Sequence, residues 1–298
     1  LTQGVLLARR LIRRIRPRVV IGFGGYPTVP PLLAAALAGM PTAIHEQNAV
    51  MGRANRLLAP RVLQIATGFA TAQRLGRRLA AKAVHVGNPV RPAVLAVAGE
   101  AYRALEADGP MRLLVFGGSQ GARVMSEVVP QALARLDPAL RARLRVVQQA
   151  RSEDLDQVRR LYAGHGIKAE LAPFFADLPE RLAAAHLVIS RAGASTVAEL
   201  AAVGRPAILV PLPHALDQDQ RFNAEALAGV GGAIVRLQDG FTPEWLAAEL
   251  TGLFSNPGRL SVMAAAARTI GTPDAAERLA DLVLSLAAPE QRIKERTA

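Results

Sequence analysis

The segment from Ser190 to Leu200, SRAGASTVAEL, combines a glycine turn, hydroxyl side chains and one carboxylate between two apolar runs. Free N–H groups at the start of a helix that follows such a turn favour bound anions. Glu199, one helical turn further on, has two acceptor oxygens, which match a vicinal diol such as that of ribose. Alternatively, Thr196 and Glu199 form a capping box that only stabilises the helix. Because the segment contains no His, Cys or Lys, we interpret its chemistry as holding a leaving group rather than attacking one.

Two further glycine-rich turns can bring backbone N–H groups close to an anion. Residues 117–124, GGSQGARV, follow an apolar run and open a helix, a pattern that suits a phosphate-binding turn and equally a plain tight turn. Within it, Ser119 either donates its hydroxyl to a ligand or caps the helix. Residues 22–28, GFGGYPT, carry no basic side chain, and their amides can hold a second anion.

The sequence HEQN, from His45 to Asn48, places four polar side chains directly after an apolar run. His45 and Glu46 are therefore candidates for acid–base catalysis, because both side chain types exchange protons in enzyme sites. The alternative is a structural role, which is the commoner one for a single histidine in a loop.

Two other polar segments suit a sugar phosphate. Arg91 directly follows the sequence GNPV, and a guanidinium there can pair with a phosphate through two hydrogen bonds. Residues 213–220, PHALDQDQ, carry Asp and Gln side chains that suit sugar hydroxyls, although a solvated loop has the same composition. Asp217 and Asp219 lack an obvious further acid ligand, so we expect no metal ion and no cofactor.

These segments lie between apolar runs of strand length that alternate with Ala- and Leu-rich helical stretches. The predicted strands are RVVIGF, PTAIHE, VLQIA, AVHVG, RLLVFGG, LRVVQQA, KAELAPF, HLVIS, PAILVP and AIVRL. Such alternation predicts an α/β fold with parallel sheets covered by helices on both faces. Ligands of open sheets of this kind bind beyond the carboxyl ends of the strands, where the polar turns lie.

The loop GNPVRPAVLAV interrupts this alternation and predicts a domain boundary between residues 92 and 93. We therefore expect an N-terminal domain over residues 1–92 with about four strands, and a C-terminal domain over residues 93–273 with about six. Residues 274–298 have helical periodicity and can pack back on the first domain. Because the N-terminal domain has few strands and the chain opens within a helix, we expect that domain to be incomplete.

Residues 19–48 and 187–214 share one plan of strand, glycine turn, helix, Gly-x-Pro, strand and polar loop with His. The shared plan is either a chance match of generic α/β units or the mark of two similar domains. Two similar Rossmann-like domains would face each other across a central cleft and bind a ligand between them.

Composition limits the classes of partner. The sequence is 51% hydrophobic and has no cysteine, which excludes disulfides, thiolate zinc sites and a cysteine nucleophile. Its longest apolar stretches are broken by Pro or Gly before they reach the length of a transmembrane helix. The net charge of +12 fits a solvated basic surface or an anionic partner, such as phosphates or an anionic membrane. With 4% aromatic residues and no nucleic-acid-binding pattern, we expect no nucleic acid partner.

Taken together, the motifs GFGGYPT, HEQN, GNPVR, GGSQGAR, SRAGASTVAE and HALDQDQ, the last followed two residues later by NA, resemble in order and spacing those of the MurG family of glycosyltransferases. The resemblance covers essentially the whole chain. It implies a GT-B architecture of two Rossmann-like doubly wound domains. It also implies inverting transfer of N-acetylglucosamine from UDP-GlcNAc to the C4 hydroxyl of the MurNAc sugar of lipid I, undecaprenyl-pyrophosphoryl-MurNAc-pentapeptide.

Residue by residue, the resemblance implies a donor site and an acceptor site. The implied UDP-GlcNAc contacts are Asn48, Arg91, Ser119, Phe175, Ala194, Ser195, Thr196, Glu199 and Gln220. The turn of Gly24, Gly25 and Tyr26 would hold the diphosphate of the lipid acceptor. Family members often carry isoleucine at the position of Phe175, so only the backbone role of reading the uracil carries over.

One family motif, a glycine-rich turn with the pattern GGTGGH, does not occur in this sequence. Its histidine is a candidate general base of the family, so His45 and Glu46 are the remaining candidates here. Without that turn the chain could bind UDP-GlcNAc and fail to turn over. Other readings that stay open are a different GT-B glycosyltransferase and a nucleotide-sugar epimerase.

The acceptor implied by the resemblance is anchored in the inner leaflet, which would place the enzyme peripherally on the cytoplasmic face of the bacterial inner membrane. Residues 5–18, VLLARRLIRRIRPR, contain six basic and no acidic residues with Leu and Ile between them. Such a segment suits an anionic membrane surface. A basic helix packed on its own sheet would have the same composition.

Overall fold

The computed structural model describes residues 1–106, 108–118, 122–213, 215 and 217–288. The chain divides into two compact units. Unit 1 consists of Leu1–Pro89 together with the C-terminal helix that follows Asp274, and unit 2 consists of Val90–Pro273. The division falls three residues before the boundary predicted after residue 92.

Unit 1 is a four-stranded parallel sheet with the strand order β1-β2-β3-β4. Its elements are α1 Thr2–Ile15, β1 Val20–Gly22, α2 Val29–Leu37, β2 Thr42–Glu46, α3 Arg53–Leu58, β3 Gln64–Thr67, α4 Arg77–Ala80, β4 Ala83–His85 and α14 Ala275–Ala287. Residues of α2, β2, α3 and β3, among them Leu32, Ile44, Leu58 and Ile65, form one apolar core cluster. Strand β2 is buried along its whole length, which is typical of a central strand in a parallel sheet.

Helix α14 completes unit 1 from the far end of the chain. Leu279 packs in one buried cluster with Ala66 of β3 and Val86, and Leu282 lies against the same cluster. The C-terminal periodicity therefore reflects a helix that closes one face of the N-terminal sheet.

None of the residues of helix α1 is buried. It lies against α2, with Gly4 close to Pro30. Its apolar side chains are largely exposed, including Leu6 at 54%, Leu7 at 63% and Ile15 at 61%. The predicted helix is thus present, but it does not bury a face of its own against the sheet.

Unit 2 is a six-stranded parallel sheet with the strand order β10-β9-β8-β5-β6-β7. Its elements are α5 Pro92–Ala98, β5 Met111–Phe116, α6 Arg123–Ala134, α7 Pro138–Arg143, β6 Leu144–Gln149, α8 Leu155–Gly164, β7 Lys168–Ala172, α9 Leu178–Ala184, β8 Leu187–Ser190, α10 Ala194–Val203, β9 Ala207–Leu209, α11 Asp219–Gly229, β10 Ala233–Val235, α12 Pro243–Phe254 and α13 Pro257–Arg268. Numbered within the unit, the order is 6-5-4-1-2-3, which is the doubly wound order of dinucleotide-binding folds.

The order of strands in unit 2 reverses between β5 and β8, which pair with each other in the middle of the sheet. Chains leave these two strands in opposite directions, so the loops at their carboxyl ends part and leave a crevice. Both glycine turns of the C-terminal half, the one from Gly117 and the one from Ser190 to Gly193, begin at this point. The topology therefore brings together two segments that are 73 residues apart, counted from Gly117 to Ser190.

The ten predicted strands all occur, and the predicted α/β fold class with parallel sheets is confirmed. Among the described residues, no helix is both long and apolar enough to cross a membrane.

Candidate functional site

The turn after β8 presents the start of a helix at the carboxyl edge of the unit 2 sheet. Gly193 is the N-cap of α10, and as a glycine it offers no side chain to cap the helix. The first helical hydrogen bond runs from the N–H of Val197 to the carbonyl of Gly193. The N–H groups of Ala194, Ser195 and Thr196 therefore have no acceptor within the helix and form a site of partial positive charge.

The capping box of Thr196 and Glu199, one of the two interpretations of this segment, is wrong. A capping box needs Thr196 at the N-cap, and the structure places Gly193 there, three residues earlier. The side chain of Glu199 instead pairs with Arg91, the N-cap residue of α5.

Glu199 forms a bidentate ion pair with Arg91. The Nε and Nη2 groups of Arg91 donate to Oε1 and Oε2 of Glu199 over 2.8 and 2.9 Å. The Glu199 side chain is 11% exposed and that of Arg91 is 52% exposed, so the carboxylate is the buried partner. Hydrogen bonding to Glu199 raises the pKa of Arg91, against the smaller opposing effect of burial. Two residues that were predicted to contact the same ligand thus contact each other.

Gln220 lies in the first turn of α11, not in the loop predicted for it. Its Oε1 atom accepts hydrogen bonds from the backbone N–H of Ala192, at 3.2 Å, and of Leu212, at 3.0 Å. Because both donors are backbone N–H groups, the oxygen of the amide is fixed toward them and its amino group faces away. Gln220 therefore joins the turn before α10 to the chain that leaves β9.

Two polar residues without a predicted role complete this region. Asn223, buried three positions after Gln220 on the same helix, donates from Nδ2 to the carbonyl of Ala192 at 3.2 Å. Arg191 donates from Nη1 to the carbonyls of Val210 and Pro211 and from Nη2 to Gln238. The three-residue spacing from Gln220 is a sequence signal that could have identified Asn223, whereas nothing local distinguishes Arg191 from the many other arginines.

Phe175 follows β7 and is 8% exposed. The guanidinium of Arg181 lies 4.4 Å from the centre of its ring. Arg181 is held in turn by Glu170 and Asp177, and these hydrogen bonds raise its pKa. The adjacent Phe174 is 71% exposed. Packing therefore restrains the Phe175 side chain, and with it the backbone at this position.

The glycine turn after β5 is described only at its start. Gly118 has a φ of +88°, a conformation that favours glycine. Ser119, the predicted nucleotide contact, lies outside the described residues.

The remaining predicted site residues lie in unit 1. His45 is fully buried in β2, and its Nε2 atom bonds the carbonyl of Gly87 at 3.0 Å. A carbonyl can only accept, so Nε2 carries the proton of the neutral ring. Burial lowers the pKa of His45 below its usual range, opposed in part by the Gly87 hydrogen bond. Phe23 meets the ring edge-on, with the ring centres 5.9 Å apart.

Glu46, the last residue of β2 and 2% exposed, is the acceptor around which the loop after β2 folds. Its Oε1 atom accepts from the backbone N–H of Asn48 at 3.0 Å. Its Oε2 atom accepts from the backbone N–H of Gly52 and from Nδ2 of Asn55, both at 2.8 Å. Asn55 also donates to the carbonyl of His45. A single buried carboxylate thus ties strand β2, the loop after it and helix α3 together.

The GFGGYPT turn lies near this network. Gly24 and Gly25 have φ values of +79° and +75°, and a side chain at Gly24 would start 3.3 Å from Nδ2 of Asn55. The Thr28 hydroxyl donates to the carbonyl of Gly24 and closes the turn. Tyr26 is 75% exposed. Two sets of predicted residues are therefore assembled, one within each unit.

Comparisons with known proteins identify the family of both parts of the chain. Residues 1–67 match the glycosyltransferase family 28 N-terminal domain, and residues 112–279 match the family 28 C-terminal domain. A relative from Methylobacterium sp. (strain 4-46), named UDP-N-acetylglucosamine--N-acetylmuramyl-(pentapeptide) pyrophosphoryl-undecaprenol N-acetylglucosamine transferase, is 62% identical over 96% of this chain and 77% of its own length. A relative of the same name from Paramagnetospirillum magneticum is 60% identical over 95% of this chain and 76% of its own length.

Among solved structures, MurG of Acinetobacter baumannii is 33% identical, with a TM-score of 0.80 over 94% of this chain and 78% of that one. The UDP-GlcNAc 2-epimerase of Neisseria meningitidis, solved bound to UDP-GlcNAc, has a TM-score of 0.67 over 95% of this chain and 80% of that one. At 13% identity the epimerase shares the fold alone. The two family models, the relatives of about 60% identity and the solved MurG structure all indicate the same family. The chain belongs to glycosyltransferase family 28, with the MurG enzymes.

Proposed function

We propose that this chain transfers N-acetylglucosamine from UDP-GlcNAc to the C4 hydroxyl of the MurNAc sugar of lipid I, with inversion, and so makes lipid II for peptidoglycan. The observation that carries the proposal is the site at the start of α10. There the helix N-terminus that begins at Gly193, the Arg91–Glu199 pair and Gln220 lie at the switch point of a doubly wound sheet, in a chain 62% identical to an enzyme named for this reaction.

The helix N-terminus supports the departure of UDP. In an inverting transfer the anomeric carbon gains oxocarbenium character while negative charge grows on the leaving diphosphate. The N–H groups of Ala194, Ser195 and Thr196 are fixed before the reaction, so they stabilise that charge without reorganising. No proton transfer or nucleophile is required of this segment.

Glu199 accepts hydrogen bonds from the ribose hydroxyls. Arg91 neutralises its charge, which allows a carboxylate to lie near the diphosphate. Each carboxylate oxygen has a second acceptor direction after it binds Arg91, and these remain for a diol. An unpaired Glu199 would repel the nearby diphosphate, whereas the paired one is electrically neutral as a unit. We therefore assign Arg91 to the donor site through Glu199, in place of the direct phosphate contact that its position alone indicated.

Gln220 and Phe175 provide the contacts at the two ends of the donor. The amino group of Gln220, turned away from the backbone N–H groups that hold its oxygen, donates to a hydroxyl of the GlcNAc sugar. The backbone at Phe175 reads the uracil, and the ring packed under Arg181 holds that backbone in place.

The acceptor side is assigned to unit 1. The amides of Gly24 and Gly25, with Tyr26, hold the diphosphate of lipid I, and Asn48 contacts the donor. A general base role for His45 and Glu46 stays a prediction. Their burial and hydrogen bonds support a positioning role, because a base must reach the hydroxyl that it deprotonates.

A donor and acceptor assay tests this function. The purified chain is incubated with UDP-GlcNAc labelled in the sugar and a lipid I analogue, and UDP and the labelled lipid are both measured. We expect equimolar UDP and disaccharide lipid, and binding of UDP-GlcNAc in titration calorimetry. UDP release without an acceptor would favour an epimerase, and a different accepted lipid another glycosyltransferase. Binding without turnover would indicate a ligand-binding chain, and the absence of UDP binding would overturn the proposal.

We further propose that the chain is peripheral on the cytoplasmic face of the inner membrane, with α1 against anionic lipid. The six arginines of residues 5–18 supply charge, and the exposed Leu6, Leu7, Leu11 and Ile15 supply apolar contact. Lipid I is membrane-anchored, so the acceptor would be met there.

Vesicle binding tests this placement. Replacing Arg9, Arg10, Arg13 and Arg14 by glutamine should weaken binding to vesicles containing anionic lipid by about 3–4 kcal/mol, at about 1 kcal/mol for each basic residue near the surface. Leu7→Glu should weaken it as well. Leu284→Glu is the matched control, because Leu284 is 66% exposed on another helix of the same unit. Equal loss in the control, or none in the α1 variants, would exclude α1 as the membrane surface.

A further inference from the structure

Strands β5, β6 and β7 end at the same level of the unit 2 sheet. In the strand register Val115 lies opposite Gln148, and Gln149 lies opposite Ala172. The chain therefore leaves β5 at Gly117 and β7 at Pro173 on either side of the last residue of β6. These two exits lead to the turn after β5 and to Phe175.

The side chain of Gln149 bridges the two exits. Its Oε1 atom accepts from the backbone N–H of Gly117 at 3.2 Å, and its Nε2 atom donates to the carbonyl of Pro173 at 3.0 Å. A backbone N–H must meet the oxygen of the amide, and a carbonyl must meet its amino group, so only one orientation satisfies both ends. The residue is 8% exposed, and water competes little for these bonds.

Glutamine is an unusual residue at position 149, the end of β6, if packing alone determines the residue type there. The end of a parallel strand buried on both faces suits Val, Ile or Leu. A buried amide is tolerated because both of its polar ends are hydrogen-bonded. The strand ladders end at Val115 and Ala172, so these two bonds hold the backbone just beyond the sheet and not the sheet itself.

We propose that Gln149 is a positioning residue for the nucleotide, which fixes the spacing between the loop after β5 and the loop after β7. The inference rests on the proposed function, in which the backbone at Phe175, two residues after Pro173, reads the uracil. The side chain of Gln149 then sets the distance between the backbone that reads the uracil, at Phe175, and the end of β5 at the centre of the sheet. A single nucleotide has to match that distance.

Two substitutions separate the two bonds. Gln149→Glu keeps an acceptor for Gly117 but places an oxygen without a hydrogen against the carbonyl of Pro173. Gln149→Met removes both bonds at similar length. Gln148→Met is the matched control: Gln148 is a buried glutamine next in the strand, on the opposite face, where it bonds the carbonyl of Met125 and the hydroxyl of Tyr162.

The readouts are the dissociation constants of UDP and CDP, kcat and KM for UDP-GlcNAc, and the unfolding midpoint in urea. We expect both Gln149 variants to bind UDP about tenfold more weakly, which corresponds to the loss of about one hydrogen bond. Their preference for UDP over CDP should be smaller than that of the original chain. Their kcat/KM for UDP-GlcNAc should fall because KM rises, while kcat changes little. Gln148→Met should lower the unfolding midpoint and leave the UDP to CDP ratio unchanged.

An unchanged UDP to CDP ratio in folded Gln149→Glu would overturn the inference, as would an equal change in Gln148→Met. If Gln149→Met does not fold, Gln149→Glu decides the question, because it retains the Gly117 bond. If the original chain does not bind UDP at all, the proposed function fails. If it binds UDP and the Gln149 variants match it, only the role of Gln149 fails.

Discussion

Replacement of Glu199 by alanine is expected to weaken UDP-GlcNAc binding by about 1–3 kcal/mol, because charge-assisted hydrogen bonds to the ribose hydroxyls are lost. Titration calorimetry with UDP-GlcNAc and with UDP measures the effect, and both ligands should lose similar affinity because both carry the ribose. Deoxyuridine diphosphate, which lacks the 2′-hydroxyl, should lose less on this substitution than UDP does.

The variant should fold, since the partner that it leaves behind is not buried. The Arg91 side chain is 52% exposed and can be solvated by water once the carboxylate is gone. Glu244→Ala is the control: it breaks an ion pair with Arg135 whose side chains are 67% and 43% exposed, in the same unit. Such exposed pairs contribute little, so this variant should keep its affinity for UDP-GlcNAc.

A double-mutant cycle decides whether Arg91 acts through Glu199. Arg91→Met leaves a carboxylate of 11% exposure without its cation, so it should weaken the nucleotide and lower stability. In the Glu199→Ala background the same substitution should have little further effect on binding. Additive losses would show instead that Arg91 contacts the donor independently, and an unchanged affinity in Glu199→Ala would remove Glu199 from the site.

The second large effect is expected at Glu46. Glu46→Gln replaces one acceptor oxygen with an amino group, which must face either the N–H of Asn48 or the donors of Gly52 and Asn55. An unsatisfied buried donor costs about 1–3 kcal/mol, so we expect the unfolding free energy of unit 1 to fall by about 2–4 kcal/mol. Urea unfolding followed by circular dichroism measures this loss.

The same substitution separates positioning from catalysis. Glu277→Gln, at an exposed glutamate of α14 in the same unit, should leave stability within about 0.5 kcal/mol. If Glu46 only organises the loop, Glu46→Gln should lower stability and raise KM, while the pH profile of kcat keeps its shape. Unchanged stability together with a pH profile that loses one limb would instead identify Glu46 as the proton acceptor.

Local pattern was sufficient for the elements and for the turns between them. Strand length, glycine placement and Ala- and Leu-rich periodicity predicted the ten strands, and the Gly193 turn stands where a helix begins. These features depend on residues within a few positions of one another, so a single sequence contains the information.

The side-chain contacts between residues that are far apart in the sequence could not be predicted from local pattern. Arg91 and Glu199 are 108 residues apart, and neither residue's neighbours indicate that each is the other's partner. The hydrogen-bond partners of His45 and Glu46 include Gly87 and Asn55, which the sheet and α3 bring to them. Polar type and loop position indicated catalysis, whereas the packing around these side chains supports a structural role.

The return of α14 to unit 1 has a consequence for synthesis on the ribosome. Leu279 closes the cluster of Ala66 and Val86, yet residues 90–273 are translated between them. Unit 2 is one continuous segment and can fold as soon as it emerges, as domains generally do. Unit 1, though it is made first, leaves Ala66 and Val86 uncovered until its last helix arrives. The N-terminal unit is therefore the one that needs protection during translation, and the C-terminal unit is the one that can be expressed alone as an uninterrupted chain.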